Sequence, residues 1–302
     1  MEQNDKEKIK RGILTKKVTS WMEFVQFVFH KHSPGKGNME HDAPEEIGNY
    51  VWRGHRCSCW KLESLFDRKK RNSDKRDNVL GKHRRSFIYA TRGRLEEFGL
   101  SIRELKMLNR EHILSEEHLW ALAQHYELAT PLLDWSTSPF VAAYFAFEGA
   151  SRLEDTDWDK LDKDTEWSEI RKKMKDNQQR ESLPYHDRTV IGLNYRHVCQ
   201  NTGLKPFSPM SSEHPRLINQ RGLFTLAKNG EDIETTIQNN WKEGDPWLIK
   251  IHIPNAPRED FLHALNLMNI NGASLFPDIN GAARFCNVGL EISDYSTFPG
   301  VD

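Results

Sequence analysis

The chain has 302 residues, 37% of them hydrophobic and 29% charged, with a formal net charge of −1 at pH 7. These values predict a soluble globular protein with a sizeable core, organised as one large domain or two small ones. The sequence also excludes a membrane-spanning protein, because no stretch approaches the ~18 consecutive apolar residues that a membrane span needs. The N-terminus lacks the apolar core of a signal peptide, and four cysteines do not make a disulfide framework in a chain this long. We therefore expect a reducing, cytoplasmic setting and no membrane contact.

The chain begins with a polar, basic segment. We expect residues 1–17 to be a flexible N-terminus and residues 18–302 to form a single domain. Ser20 is placed to cap a helix with a broad apolar face. Residues 50–54 are rich in aromatic and β-branched side chains, which predicts a strand that ends at Gly54.

A basic excursion follows at residues 68–85, with Asp74 and Asp77 as its acids. Its first half lacks an apolar pattern and is expected to be exposed, whereas its second half continues into a helix. Such a run of cations is typical of a solvated surface, but it also fits a phosphate-binding patch for a nucleic acid. The candidate nucleic-acid-binding residues are Arg68, Lys69, Lys70, Arg71, Arg84 and Arg85.

The stretch 124–147 brings polar residues next to strongly apolar elements. A helix is expected to deliver His125 to its end, and a turn then leads into a short apolar strand that Asp134 follows. Ser138 is placed as the N-cap of an almost wholly apolar helix, with Pro139 as its first residue, and this helix must be buried. Polar groups between two apolar elements are typical of an active site at a strand end.

The rest of the chain mixes short strands and helices. Residues 151–187 are rich in both charges and predict a surface insertion. The remaining elements are expected to be strands at 188–198, 223–226 and 247–253, a turn at 219–222, and helices at 261–268 and 282–286. Because strands and helices are interspersed without a regular βαβ rhythm, the predicted fold class is α+β.

These motifs resemble the signature of the FRG domain. That family carries a His-Tyr pair before a Leu-Leu-Asp-Trp-Ser/Thr-x-x-Pro run and a small-aromatic helix, which is similar to residues 125–147. Its aromatic-Arg-Gly motif corresponds to Trp52-Arg53-Gly54, and shorter matches occur at 220–225 and 275–278. The order and spacing fit from about Val18 to Asn287. Pro131 departs from the pattern, because many family members carry Arg there.

The FRG domain resembles the ADP-ribosyltransferase fold, which implies a split, twisted sheet flanked by helices and chemistry on NAD. Breaking the nicotinamide–ribose bond passes through a sugar cation, so such a site needs a cation for the diphosphate and a group that stabilises positive charge. The resemblance implies catalytic roles for Arg53, His125, Asp134, Ser136 and Gln220, and NAD contacts for Arg53, Gly54, Trp135, Thr137 and Tyr144. Gln220 stands where related enzymes place Glu, so Asp134 is a second candidate for the carboxylate.

Several of these residues also have structural alternatives. Arg53 and Asp134 could form an ion pair, His125 could satisfy the end of a helix, Ser136 could be a cap, and Gln220 could serve a turn. A zinc site is disfavoured, because Cys-x-Cys and His-x-Cys spacings differ from those of structural zinc sites. The residues considered for it are His55, Cys57, Cys59, His197 and Cys199. No metal ligand is therefore assigned.

The resemblance leads us to hypothesise an NAD-dependent ADP-ribosyltransferase that modifies a macromolecule, with RNA favoured over protein. We expect a bacterial toxin or phage-defence effector, with an inhibitory antitoxin-like protein as a partner. The alternative is a non-catalytic FRG recognition module that binds a nucleotide, a nucleic acid or a partner protein. A third hypothesis is a protein that binds or cleaves RNA through the basic excursion. Gln220 in place of Glu favours the recognition module, whereas the polar cluster on buried elements favours the enzyme.

Overall fold

Eight strands in the described part of the chain form one sheet. The computed structural model describes residues 9–32, 50–69, 76–92, 120–121, 123–124, 127–149, 187–207, 218–226 and 231–295. The strands are β1 (Ile9–Lys10), β2 (Ile13–Lys17), β3 (Tyr50–His55), β4 (Leu132–Ser136), β5 (Arg188–Asn194), β6 (Lys205–Phe207), β7 (Gly222–Leu226) and β8 (Leu248–Ile253). Their order in the sheet is β1-β2-β8-β5-β3-β4-β7-β6. Only the β2–β8 pair is parallel among these strands, so the sheet is mixed and open.

Nine helices accompany the sheet in the described part of the chain. They are α1 (Trp21–His32), α2 (Leu65–Lys69), α3 (Arg76–Arg92), α4 (Pro139–Phe147), α5 (Tyr195–Asn201), α6 (Ile233–Asn240), α7 (Arg258–Leu267), α8 (Gly272–Leu275) and α9 (Ile279–Glu291). The α+β class predicted from the sequence is therefore confirmed. None of these helices is both long enough and apolar enough to cross a bilayer.

Helices cover both faces of the sheet. On one face α1, α4, α7 and α9 form a core in which Phe24, Phe147 and Phe261 are fully buried. The rings of Phe147 and Phe261 stack with their centroids 4.4 Å apart. On the other face α5 and α6 bury Val198 and Ile237. Because both faces are covered, β5 is buried along almost its whole length. The buried aromatic rings stabilise the fold, because each removes a large apolar area from water.

Helix α4 begins where the sequence predicts. The Ser138 hydroxyl accepts a hydrogen bond from the Val141 N–H at 3.3 Å, and Pro139 is the first helical residue. At the other end, the guanidinium groups of Arg188 and Arg258 donate to the last two main-chain carbonyls of the helix and to those of the two residues that follow it. Burial lowers the pKa of Arg188 to about 9. Two cations at the carboxyl end also interact favourably with the helix dipole, so both ends of this apolar helix are satisfied.

The N-terminal segment differs from the expectation of a flexible, polar arm. Residues 9–17 form β1 and β2, and β2 pairs in parallel with β8 from Ile13 opposite Leu248 to Lys17 opposite His252. The Ile13 side chain is buried in this arrangement. The partner strand lies near the other end of the chain, so the pairing that orders this basic segment has no local signal.

Two further elements differ in type or length from the sequence prediction. The strand expected at 188–198 ends at Asn194, whose side chain accepts from the His197 N–H at 3.3 Å and starts α5. The last helix is longer than 282–286 at both ends, and Asp278 caps its start by accepting from the Gly281 N–H at 3.1 Å. The starts of both helices are therefore set by side-chain caps.

One pair of the four cysteines is bonded. Cys57 and Cys59 form a disulfide, with their Cα atoms 5.2 Å apart, whereas Cys199 and Cys286 are free. Two of the residues considered as zinc ligands are therefore joined to each other. Among the described residues, no cluster of three or more His, Cys, Asp or Glu side chains could hold a metal ion. The middle of the basic excursion and nearly all of the charged insertion lie outside the described residues.

Candidate functional site

The candidate site lies where β3 and β4 separate. The register between these antiparallel strands consists of one pair, Trp52 opposite Ser136. A cavity of about 370 Å³ lies at this point, and three residues of each strand line it: Trp52, Arg53 and Gly54 of β3, and Asp134, Trp135 and Ser136 of β4. Main-chain groups that leave a sheet ladder need other partners. The separation therefore creates both the space and the polar character of the cavity.

Arg53 spans the gap between the two strands. Its Nη1 donates to the main-chain carbonyl of Asp134 at 2.8 Å and lies 3.5 Å from the Asp134 Oδ2. Its Nε donates to the Nε2 of His55 at 3.0 Å. The side chain is 19% exposed, and burial lowers the pKa of Arg53 while the Asp134 carboxylate acts in the opposite direction. The ion pair considered from the sequence therefore exists, and the same guanidinium lines the cavity.

His55 is a neutral partner for that guanidinium. The ring is buried, and burial together with the positive charge of Arg53 holds the pKa of His55 well below its usual value. A neutral imidazole whose Nε2 accepts a hydrogen bond carries its proton on Nδ1. His55 therefore orients Arg53 without adding a second positive charge beside it.

Gln124 holds the Asp134 carboxylate from another direction. Its Nε2 donates to Asp134 Oδ1, and its Oε1 accepts from the Thr130 hydroxyl, so both ends of the amide are engaged. The Asp134 side chain remains 57% exposed and lines the cavity. The carboxylate is thus positioned by an amide and a guanidinium while it stays accessible.

Ser136 and Gln220 line the same cavity but are engaged in main-chain contacts. The Ser136 hydroxyl donates to the Gln220 carbonyl at 2.7 Å and accepts from the Ser138 N–H at 3.0 Å. The Gln220 Nε2 donates to the Leu275 carbonyl at 3.3 Å. These bonds connect the turn before β7 to β4 and α8. Ser138, and not Ser136, is the N-cap of α4, so the cap considered for Ser136 is wrong, and its hydroxyl instead ties β4 to the turn that contains Gln220.

The apolar wall of the cavity consists mainly of aromatic rings. Phe145 of α4 and Phe276 contact each other edge to face, with centroids 6.0 Å apart. Trp52, Leu223 and Phe224 complete the wall. Planar rings around a polar floor are typical of sites that bind a flat, partly polar ligand such as a nucleobase or a nicotinamide.

Three residues expected to contact NAD are placed differently from one another. Trp135 lines the cavity, but it is 3% exposed and its indole N–H donates to the Thr225 hydroxyl at 2.9 Å. Tyr144 is buried in the core and does not line the cavity, where Phe145 lies instead. Thr137 is exposed and also does not line the cavity. Stacking on Tyr144 therefore has no support in this geometry.

Gly54 lines the cavity, but packing explains why it is glycine. A Cβ at this position would lie 2.0 Å from the Ala142 carbonyl oxygen and 2.6 Å from the Ala146 nitrogen of α4. Real side chains do not tolerate such distances to main-chain atoms. The glycine of the Trp-Arg-Gly motif therefore lets β3 approach α4 closely.

A second arginine reaches the cavity from α9. The guanidinium carbon of Arg284 lies 4.3 Å from the centroid of the Phe276 ring. Its Nη1 donates to both carboxylate oxygens of Glu148, at 2.9 and 3.1 Å. Arg284 follows the cavity residue Phe276 closely in the chain, but it lies outside the motifs that the sequence singles out.

Glu127 also lines the cavity, and its backbone is left-handed with φ of 64°. Its N–H bonds to the Gln124 carbonyl at 2.9 Å, and the Leu128 N–H bonds to the Ala123 carbonyl at 3.0 Å. This pair of bonds is the pattern that ends a helix at a left-handed residue, which is usually glycine. The motif at 124–147 thus contains two polar cavity residues, Gln124 and Glu127, in addition to those that the sequence predicted.

We expect Glu127→Gly to raise the free energy of unfolding by up to about 1 kcal/mol, because glycine adopts a left-handed backbone without steric cost. Urea unfolding of the wild type and the variant would measure the difference. A matched control is Glu259→Gly, in the first turn of α7, where glycine should lower stability. A less stable Glu127→Gly protein would mean that the Glu127 side chain makes stabilising contacts.

The basic helix α3 lies next to the wall that contains Gln124 and Glu127. The His83 Nε2 is 2.9 Å from the Ala129 carbonyl oxygen, and the His83 ring stacks on Trp120 with centroids 6.1 Å apart. Arg84 and Arg85 lie within α3, next to His83 in the chain. Arg68 and Lys69 are the last residues of α2, and the Arg68 guanidinium lies over the Trp60 ring. His125, Lys70 and Arg71 lie outside the described residues. His83 therefore packs α3 against the segment that contributes Gln124 and Glu127 to the cavity.

The site combines fixed cations, accessible carboxylates, amides and aromatic rings. Arg53 and Arg284 are suited to phosphate groups, and Asp134 and Glu127 to hydroxyl groups or positive charge. Such a donor set fits a nucleotide better than a metal ion. The arginines could bind a phosphate, the carboxylates could bind sugar hydroxyl groups, and the aromatic rings could stack on a flat base.

A sequence model of the FRG domain matches residues 48–155 of the chain. No curated protein and no solved structure matches the chain. The matched range is shorter than the resemblance from Val18 to Asn287 suggested, and it includes β3, β4 and α4. Gln220, Phe276 and Arg284 lie beyond it, so the C-terminal part of the chain completes the cavity.

Proposed function

Because the chain carries an FRG domain in residues 48–155, we propose that it is an NAD-dependent ADP-ribosyltransferase that modifies a macromolecule. The observation that carries the proposal is the placement of Arg53 and Asp134 across one cavity between separated strands. An ADP-ribosyltransferase-like arrangement of the split sheet is part of the proposal. We also propose that the protein acts as a bacterial toxin or phage-defence effector, held in check by an inhibitory partner.

NAD would supply the ADP-ribosyl group, with nicotinamide as the leaving group and the acceptor nucleophile forming the new bond to the ribose carbon. Arg53 would bind the diphosphate through guanidinium donors that its bonds to His55 and Asp134 orient. The Asp134 carboxylate would stabilise the positive charge that develops on the ribose, because it is fixed in place before the reaction. The aromatic wall of Phe145 and Phe276 would exclude water from one side.

The preferred acceptor in this proposal is RNA. Helix α3 packs through His83 on the segment that contributes Gln124 to the cavity, and its cations would hold a phosphate backbone near the reacting carbon. Lys and Arg contacts with phosphates give affinity without sequence choice, and that affinity falls steeply with salt. A protein acceptor is the outcome that would replace RNA.

The test is transfer of label from NAD carrying radioactive phosphate to purified RNA or to protein fractions. We expect labelled RNA, and about a hundredfold or greater loss of transfer in Asp134→Asn with an unchanged melting temperature. The matched control is Asp260→Asn, which changes an exposed carboxylate on α7 outside the cavity and should retain full transfer.

Each result of this experiment has a distinct meaning. Label in protein alone would refute the RNA acceptor. Full transfer by Asp134→Asn would show that Asp134 has no catalytic role. Transfer of label to neither fraction would contradict the proposed ADP-ribosyltransferase activity. Nucleotide binding without transfer would then favour the recognition module, which the engaged side chain of Gln220 also favours.

A further inference from the structure

We infer that Arg284 is a second phosphate-binding residue of the cavity, so that the diphosphate of a nucleotide lies between Arg53 on β3 and Arg284 on α9. This inference rests on the proposed function, because it requires a nucleotide in the cavity. It assigns a ligand contact to a helix that lies outside the segment matching the FRG domain.

The first argument is position. Arg284 lines the same cavity as Arg53, yet the two residues come from elements on different parts of the chain. Phe276, which also lines the cavity, stacks under the Arg284 guanidinium at 4.3 Å. The aromatic face holds the guanidinium plane by a cation–π contact and leaves its edge for hydrogen bonds.

The second argument is preorganisation. Both hydrogen bonds from Arg284 to Glu148 start from Nη1, so one nitrogen of the guanidinium is used on the protein side. The Glu148 side chain is 20% exposed, whereas that of Arg284 is 43% exposed. Arg284 is therefore anchored at one nitrogen and remains accessible to a ligand. Fixing a long side chain in advance reduces the entropy lost when a ligand binds.

The third argument is charge. The diphosphate of NAD carries two negative charges, and the Nη1 of Arg53 is already bonded to Asp134. A single arginine with a carboxylate beside it neutralises such a group poorly. A second guanidinium with free donor capacity supplies the missing attraction, and two forks specify the position of both phosphates.

The experiment compares the binding of ADP and of adenosine to the wild type and to Arg284→Gln by titration calorimetry. We expect ADP affinity to fall by about tenfold or more in the variant, while adenosine affinity stays the same, because the lost bonds go only to phosphate. The matched control is Arg196→Gln, which changes an exposed arginine on α5 outside the cavity and should leave both affinities unchanged.

A second variant tests the anchoring. Glu148→Gln keeps the shape of the anchor but removes its charge, so Arg284 should lose its fixed position and ADP affinity should fall by a smaller factor. This variant also keeps the inference testable if Arg284→Gln fails to fold.

The outcomes separate the inference from the proposed function. If the wild type binds ADP and NAD but Arg284→Gln binds ADP equally well, Arg284 is only a surface ion pair and the inference is wrong. If adenosine and ADP affinities fall together, Arg284 acts through the shape of the cavity, which also overturns it. If the wild type binds none of the nucleotides, both the proposed function and the inference fail.

Discussion

Replacing Arg53 by alanine or by lysine should abolish measurable NAD binding. Alanine removes the guanidinium that lines the cavity. Lysine retains a positive charge, but its single ammonium cannot bond to His55, to the Asp134 carbonyl and to a diphosphate with the fixed geometry of a guanidinium. We expect both variants to lose about a hundredfold or more in NAD affinity.

The same change should affect stability, because Arg53 connects β3 to β4 where their ladder stops. A hydrogen bond that involves a charged group contributes about 1.5–3 kcal/mol, so Arg53→Ala should lower the free energy of unfolding by an amount of this order. Calorimetric titration with NAD and urea unfolding would measure the two effects separately. Arg56→Ala is the matched control, because Arg56 follows the same strand, is exposed and does not line the cavity. Equal NAD affinity in Arg53→Ala and the wild type would remove the residue from the site.

Replacing Gly54 by alanine should have the largest effect on the fold. The added methyl group would lie 2.0 Å from the Ala142 carbonyl oxygen, and both close neighbours are main-chain atoms of a buried helix. Neither can move without shifting α4, which carries Phe145 into the cavity and Phe147 into the core. Overpacking of this kind costs about 1–3 kcal/mol or more, so we expect the melting temperature to fall by several degrees or the protein to be insoluble.

Gly81→Ala is a sharp control for this prediction. Gly81 lies within α3, and its nearest neighbour would be the side chain of Arg85 at 3.5 Å from the new Cβ. Alanine is favoured over glycine inside a helix, so this variant should be stabilised by up to about 1 kcal/mol. The same chemical change is therefore expected to act in opposite directions at the two sites. An unchanged melting temperature for Gly54→Ala would contradict the close approach of β3 and α4.

The local elements near the candidate site could be predicted from the sequence. Ser138 and Pro139 start α4 as expected, because capping and the fixed φ of proline act within a few residues. The start of the strand at Leu132 and the turn before β7 also follow from short patterns of apolar and turn-forming residues. However, β4 continues through Asp134 to Ser136 because its pairing with β7 extends that far, whereas the sequence predicted that the strand ends before Asp134. The resemblance to the FRG domain implied that Arg53, Asp134, Ser136 and Gln220 belong to one site, and all four line the cavity, whereas His125 lies outside the described residues.

Other features were decided only by the tertiary structure. The basic residues 9–17 join the sheet because β2 finds a partner near the far end of the chain, and such a pairing has no local signature. The position of Arg284 likewise depends on a contact between distant parts of the chain, its ion pair with Glu148. The contact that positions it depends on how α9 packs, which no window of sequence reveals.

Helix α4 shows most directly what cannot be predicted from the sequence alone. Its residues are apolar on almost every side, so the periodicity that normally identifies the buried face of a helix is missing. The sequence alone therefore determined that α4 exists, where it starts and that it is buried. It could not determine that Phe145 lines the cavity while Tyr144 lies in the core, because that choice depends on the rotation of the helix against β3. The close contact at Gly54 sets this rotation, and it exists only once strand and helix have packed together.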